Sequence, residues 1–415
     1  MTIAHRTTFA RRVSAMRSFQ VMDLLDRAQR LEAAGRDIVH MEVGEPDFAS
    51  AGPILEAGRA AIAQGRTGYT SALGLPALRT AISDYYARWH GVDVPAERIV
   101  VTAGASAALV MLTALLVDEG DALLLGEPGY PCNRQLPLLV GGAARSVPIG
   151  VEDRWQPDAS WLATNWDEAT RAVLVGSPAN PTGTSLDDDQ LAALLEQTRT
   201  RGGALLVDEI YQGLTYPSEL VELPADSRHG RLAEGRGGTV LALADADDAS
   251  LYVINSFSKY FGMTGWRIGW LVAPSAAIEP LEKLAQNFWI APSTPGQYAA
   301  IAALGDDAMA EHERRRRVFC TRRNALVPAL QRAGLTVPLV PEGAFYVYAR
   351  LADGDPDSFE FCRRLLEESG VAATPGTDFG DAEGHRHVRF AYTADVARIE
   401  LAGERLRDFV TALRA

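Results

Sequence analysis

The chain carries 40 basic residues, and only two of them, Lys259 and Lys283, are lysines. Arginine can replace lysine wherever a surface cation is wanted. It cannot do so where an amine must become neutral and attack a carbonyl. Lys283 sits in LEKLAQN, a helical pattern that reads as solvated surface. Lys259 sits in INSFSKYFGMTGWRIGW, preceded by Ser256 and Ser258 and followed eight residues later by Arg267. Two hydroxyls and a guanidinium around one lysine make a phosphate clamp beside a nucleophilic amine.

Other polar residues stand at the ends of apolar runs. Asp208 closes ALLVDE, and Tyr211 follows three residues on. That carboxylate could hold a protonated heterocyclic nitrogen and the phenol a neighbouring oxygen; a helix-capping aspartate reads equally well. In VTAGAS, Ala105 and Ser106 open an apolar helix whose free N–H groups could bind phosphate. A tight turn capped by Ser106 is the even alternative. Asn180, in PANPTG, precedes a proline turn and is a weak signal by itself.

These residues need a scaffold that gathers strand ends. Short apolar runs recur at 98–102, 121–126, 171–177, 204–209, 251–256 and 268–273, separated by helical patterns. Continuous apolar strands of this kind predict a buried, mostly parallel sheet of an α/β fold, with ligands beyond the carboxyl ends. Residues 19–34 have helical spacing and stop at Gly35, and DIVHMEV then predicts a short strand. After about residue 275 the helices lengthen, and the run Arg314 to Arg317 reads as a solvated helix face rather than an anion site. VPLVPEGAFYVYARL and HVRFAYT are further strands, and 222–250 is polar and Gly-rich, as in an exposed excursion. His385 and His387 form an H-x-H without further ligands, which argues against a metal. The expected division is an arm and part of a small domain over 1–48, a large domain over 49–290 and a small domain over 291–415.

A net charge of −13 disfavours nucleic acid or an anionic membrane as partner. Three scattered cysteines argue against a disulfide framework and for a reducing compartment. Neither a signal-peptide core nor a membrane-length apolar stretch is present, so a cytoplasmic location is expected.

In their order, GEPDF, YTSALGLPALR, VTAGAS, NPTG, DEIY, SFSKYFGMTGWRIG, PEGAFY and VRFAY resemble the motifs of class I/II aminotransferases. These are fold type I enzymes dependent on pyridoxal 5′-phosphate (PLP), and the similarity, to aspartate and aromatic types, spans nearly the whole chain. It implies a large, mostly parallel-sheet domain and a small α+β domain built from both chain ends. Lys259 would carry PLP as a Schiff base and move the proton of the reaction. Asp208 would pair with the ring nitrogen, while Tyr211 and Asn180 would bond the ring's 3-oxygen. Ala105, Ser106, Ser256, Ser258 and Arg267 would surround the phosphate, and Tyr130 would stack on the ring. Arg389 would grip the substrate α-carboxylate, helped by Asn180 and the backbone of Gly44. Tyr69 would reach the phosphate of a neighbouring subunit, which implies a homodimer with shared sites.

The activity so implied is ping-pong transfer of an amino group from an L-amino acid to a 2-oxo acid. Carbon–sulfur lyases share the scaffold, so elimination is the rival chemistry. An amino-acid-sensing regulator would carry a DNA-binding module, whereas the about 40 residues before GEPDF read as one amphipathic helix. The segment 286–298 is expected to face the substrate side chain, and it offers Phe288, Trp289 and Ile290 without a cation. Neutral aromatic or aliphatic donors are therefore expected over aspartate, with 2-oxoglutarate or pyruvate as acceptor, unless Arg66 or Arg134 intervenes.

Overall fold

In this computed structural model the structure describes residues 9–224 and 238–415. The strands are, in chain order, β1 (Val39–His40), β2 (Ile99–Thr102), β3 (Ala122–Glu127), β4 (Ala143–Pro148), β5 (Thr170–Gly176) and β6 (Ala204–Asp208). They continue with β7 (Leu251–Ser256), β8 (Gly269–Val272), β9 (Tyr346–Arg350), β10 (Val371–Ala372), β11 (Thr374–Pro375) and β12 (His387–Ala391). Seven of them form one sheet in the order β2-β8-β7-β6-β5-β3-β4. Only β8 runs against the rest, pairing antiparallel with both β7 and β2.

Side chains alternate between two apolar layers, one on each face of the sheet. Val173, Val175, Leu205, Val207 and Val253 join one buried cluster. Their neighbours Leu174, Leu206, Tyr252 and Ile254 join another. All six residues of β7 are buried, as expected of a strand covered on both faces. Each such aliphatic side chain contributes roughly 1.5–3 kcal/mol through burial. β4 was not expected from the sequence: AARSVP is a half-exposed edge strand without an apolar run.

Both chain ends meet beside this sheet. β1 pairs with β10, and β11, β12 and β9 form a three-stranded antiparallel sheet. The expected helix at 19–34 is present as Gln20–Ala33, and Gly35 follows it with a φ of 89°. VPLVPEGAFYVYARL is a strand only over its last part, Tyr346–Arg350.

Two surface expectations are corrected. In the helix Asp306–Arg332, Arg314 is exposed but Arg315 and Arg316 are buried. Arg316 pairs with Glu313 at 2.9 Å and donates to the carbonyl of Thr215 at 3.0 Å, so a fixed partner replaces solvent. The second concerns 222–250, of which 225–237 lie outside the described residues. Thr239, Val240 and Leu241 are buried rather than exposed, because two apolar side chains return to the core and the Val240 N–H reaches Glu209. Among the described residues no helix is long and apolar enough to cross a membrane. All three cysteines are free.

Candidate active site

β2, β3, β5, β6 and β7 point the same way, and the loops leaving their carboxyl ends line a cleft of about 630 Å³. The structure brings together there Gly44, Ala105, Ser106, Tyr130, Asn180, Asp208, Tyr211, Ser258, Lys259, Arg267 and Arg389. Ser256 is set back from the lining; its hydroxyl meets that of Ser258 at 2.8 Å and the carbonyl of Ile268 at 3.2 Å. Tyr69 is 84% exposed and does not line the cleft of its own chain.

Lys259 projects from the loop after β7, and its Nζ donates to the carbonyl of Gly44 at 2.7 Å. Burial pushes the amine down to about 8, with Arg389 and Arg267 adding to the effect against Glu45 and Asp208. An amine lowered this far keeps a neutral, nucleophilic fraction at physiological pH that an ordinary lysine lacks. Asp208 ends β6 and is raised to about 6 by burial, while the Ile210 N–H at 3.0 Å opposes the rise. No helix follows it, so Asp208 caps a turn rather than a helix.

The helix Ala105–Leu116 begins beyond β2 after Gly104, which has a φ of 79° and caps no N–H with a side chain. A Cβ at Gly104 would lie 2.5 Å from Nη2 of Arg267, so the missing side chain admits the guanidinium to the helix start. Ser106 lies inside the first turn and is exposed towards the cleft, which rejects the capping alternative. Free helix N–H groups, two serine hydroxyls and Arg267 together suit a phosphate.

On the opposite side, Arg389 on β12 donates from Nη1 to Asn180 Oδ1 at 3.0 Å and from Nη2 to Thr374 Oγ1 at 3.0 Å. Nη2 also reaches the carbonyl of Glu42 at 2.5 Å. Its guanidinium lies over the rings of Tyr346 and Phe379, at 4.3 and 4.9 Å. Nε is buried and unpartnered. Tyr211 shares a hydrogen bond with Tyr346 at 2.9 Å, hydroxyl to hydroxyl. Gly44 permits this packing, since a Cβ there would stand 1.8 Å from the Tyr346 hydroxyl.

Several cleft residues were not anticipated. Tyr346 stands in PEGAFY, where an aromatic after a glycine turn was the available signal. Thr374 had none. The segment 286–298 does not line the cleft, and Phe288 and Ile290 are 47% and 49% exposed. The apolar wall comes instead from Phe19, Val21, Met22 and Leu25 of the N-terminal helix region. Arg66 is also absent from the lining, its guanidinium lying 4.6 Å from the Tyr298 ring. His387 stacks on Tyr348 at 4.7 Å, and among the described residues no group of three or more acidic, His or Cys side chains could hold a metal.

The chain belongs to the aminotransferase class I and II family, whose pattern matches residues 36–406. It is an enzyme that transfers amino groups between amino acids and 2-oxo acids, and the family is generally PLP-dependent. It is similar to a valine–pyruvate aminotransferase of Mycobacterium tuberculosis, 35% identical over 94% of this chain and 95% of that protein. An aspartate aminotransferase of Geobacillus stearothermophilus is 33% identical over 97% of this chain and 99% of its own length. The crystal structure of an aminotransferase from Mycobacterium tuberculosis superposes with a TM-score of 0.88 at 34% identity, covering 98% of this chain and 100% of that one.

Proposed function

We propose that this aminotransferase works with PLP attached to Lys259 and prefers donors with neutral, apolar side chains. The observation that carries the cofactor assignment is a part-buried lysine amine of lowered proton affinity in one cleft with a glycine-opened helix start and Arg267. The donor set fits PLP. Ala105, Ser106, Ser258 and Arg267 hold the phosphate, with Ser256 orienting Ser258 from behind. Asp208 would hold the ring nitrogen, Tyr211 and Asn180 the 3-oxygen, and Tyr130 the ring face. Bound PLP supplies an electron sink that makes the substrate α-proton removable.

The chain's own groups do the rest. Arg389, fixed by Asn180, Thr374 and the Glu42 carbonyl, receives the α-carboxylate with Gly44 at its side. The Lys259 amine, held at the cleft by the Gly44 carbonyl, would serve as the base that takes the substrate α-proton and as the acid that gives it back. The Asp208 carboxylate would keep the ring nitrogen protonated.

Neutral donors are supported by the lining rather than by 286–298. Phe19, Val21, Met22 and Leu25 supply an apolar wall. Of the cleft's cations, Arg134 alone has no assigned anion, and it already donates to the carbonyl of Asp378 at 2.6 Å and lies 3.5 Å from Glu127. A second substrate carboxylate would meet a cation already neutralised. The printed names of the relatives span valine and aspartate, so a panel decides the matter. Phenylalanine, leucine, alanine and aspartate are compared with pyruvate and 2-oxoglutarate, scoring transfer and elimination separately. A clear advantage for aspartate overturns the neutral-donor assignment, and dominant elimination overturns transfer.

The exposed Tyr69 supports a homodimer in which it serves the partner's site. The three free cysteines support a reducing, cytoplasmic location.

A further inference from the structure

A helix leaves its first backbone N–H groups without intrahelical partners, and a capping side chain normally takes one of them. In the helix Gln20–Ala33 the residue at the cap position is Phe19, which cannot. The cap comes from the other end of the chain. Asp378 accepts from Gln20 N through Oδ1 at 2.8 Å and from Val21 N through Oδ2 at 2.9 Å. Thr377 adds a bond from its hydroxyl to Gln20 Oε1 at 2.6 Å.

Asp378 is itself only 6% exposed. Its carbonyl accepts from Arg134, and Phe379 beside it lies beneath the guanidinium of Arg389. Asp378 thus caps the helix start, while its neighbour Phe379 packs on the carboxylate-binding arginine. The helix is otherwise lightly held: only Leu24 and Ala28 of its fourteen residues are buried. Its cleft-facing side chains are exposed enough to move, Met22 at 50%. A turn with so few buried contacts opens locally when its cap is lost, without unfolding the sheet.

We propose that Asp378 is a positioning residue that registers the first turn of this helix against the cleft, so that Phe19, Val21 and Met22 form the wall selecting the donor's side chain. This rests on the assignment of neutral donors. A methyl side chain offers the wall little apolar area, whereas those of leucine and phenylalanine offer much more. Asp378 therefore acts on discrimination between donors and not on the transfer chemistry common to them.

The test uses the full-length holoenzyme with Asp378→Ala and the milder Asp378→Asn. With leucine, kcat/KM should fall roughly tenfold in Asp378→Ala, mostly through KM, the size expected of one lost cap. With alanine it should change by no more than about twofold, since its methyl group offers the wall little area. Backbone amide exchange at residues 19–25 should quicken in both variants, less in Asp378→Asn, while β5 to β7 stay protected. Equal losses for leucine and alanine would make Asp378 a general structural residue. Unchanged exchange at 19–25 would overturn the capping role outright. A native preference for aspartate would overturn the neutral-donor assignment, and the exchange result would still decide whether Asp378 holds the helix.

Discussion

The Nζ of Lys259 and the carbonyl oxygen of Gly44 are 2.7 Å apart, although 215 residues separate them in the chain. The loop after β1 therefore aims the amine that grows from the loop after β7. Gly44 can do so because its lack of a side chain leaves room for the Tyr346 hydroxyl. The nucleophile is thus oriented by backbone from the chain's other end, while burial lowers its proton affinity.

Borohydride reduction in the presence of PLP should fix the cofactor on Lys259. Peptide mapping that places the adduct on Lys283 would remove the mechanism. Because the amine titrates at about 8, uptake of PLP by the apoprotein should quicken about tenfold per pH unit below that value and level off above it. Lys259→Arg should abolish transfer with the fold intact, since its guanidinium stays charged.

Asp208→Asn should lower the rate of the half-reaction with an amino donor by on the order of 10²–10³-fold, the usual loss when a transition-state charge partner is removed. Circular dichroism should be unchanged. Near-native turnover would show that Asp208 serves only the turn it caps.

Arg389→Lys should weaken the donor by about 2–5 kcal/mol in kcat/KM, because a point charge cannot reproduce the bidentate grip and Asn180 loses its donor. Amines without a carboxylate should show no such penalty. An equal loss for both substrate types would assign Arg389 to packing on Tyr346 and Phe379.

His40 has a carboxylate at each ring nitrogen, Glu42 at 2.6 Å and Glu32 at 3.1 Å, so both nitrogens donate and the ring is charged. The Glu42 hydrogen bond is the main cause raising its pKa from 6.5 to about 9. Its stabilising contribution is complete below 6.5 and disappears as pH rises through about 9. His40→Gln should lower Tm at pH 6 and by less at pH 10. The same difference at both pH values would refute the charged bridge.

If Tyr69 serves the partner's site, mixing inactive Lys259→Ala chains with inactive Tyr69→Ala chains should restore part of the activity in hybrids. A fully active monomer in sedimentation would exclude shared sites.

Strand ends were legible because buried parallel strands are apolar throughout, so Asp208 and Lys259 stood out at their exits. β4 was not, since a half-exposed edge strand that packs only Ala144 and Val147 against the core needs no apolar run. The arginines of the helix Asp306–Arg332 misled for a related reason. Charge in a sequence implies solvent unless partners are known, and Glu313 and the carbonyl of Thr215 are known only from the fold. The amphipathic pattern of Gln20–Ala33 announced a packed face, but not that its first turn would look into the cleft. Nor could spacing reveal a cap supplied from Asp378.

The separation of the two lysines has a practical side. Lys283 pairs with Glu279 at 2.8 Å, yet its side chain stays 68% exposed on the helix Ser275–Phe288, whereas Lys259 lines the cleft. A lysine-selective reagent applied while the cleft is filled would thus find a single accessible side chain. Tethering to an aldehyde or active-ester support would therefore involve only Lys283 among the side chains, with the chain's α-amino group as its competitor.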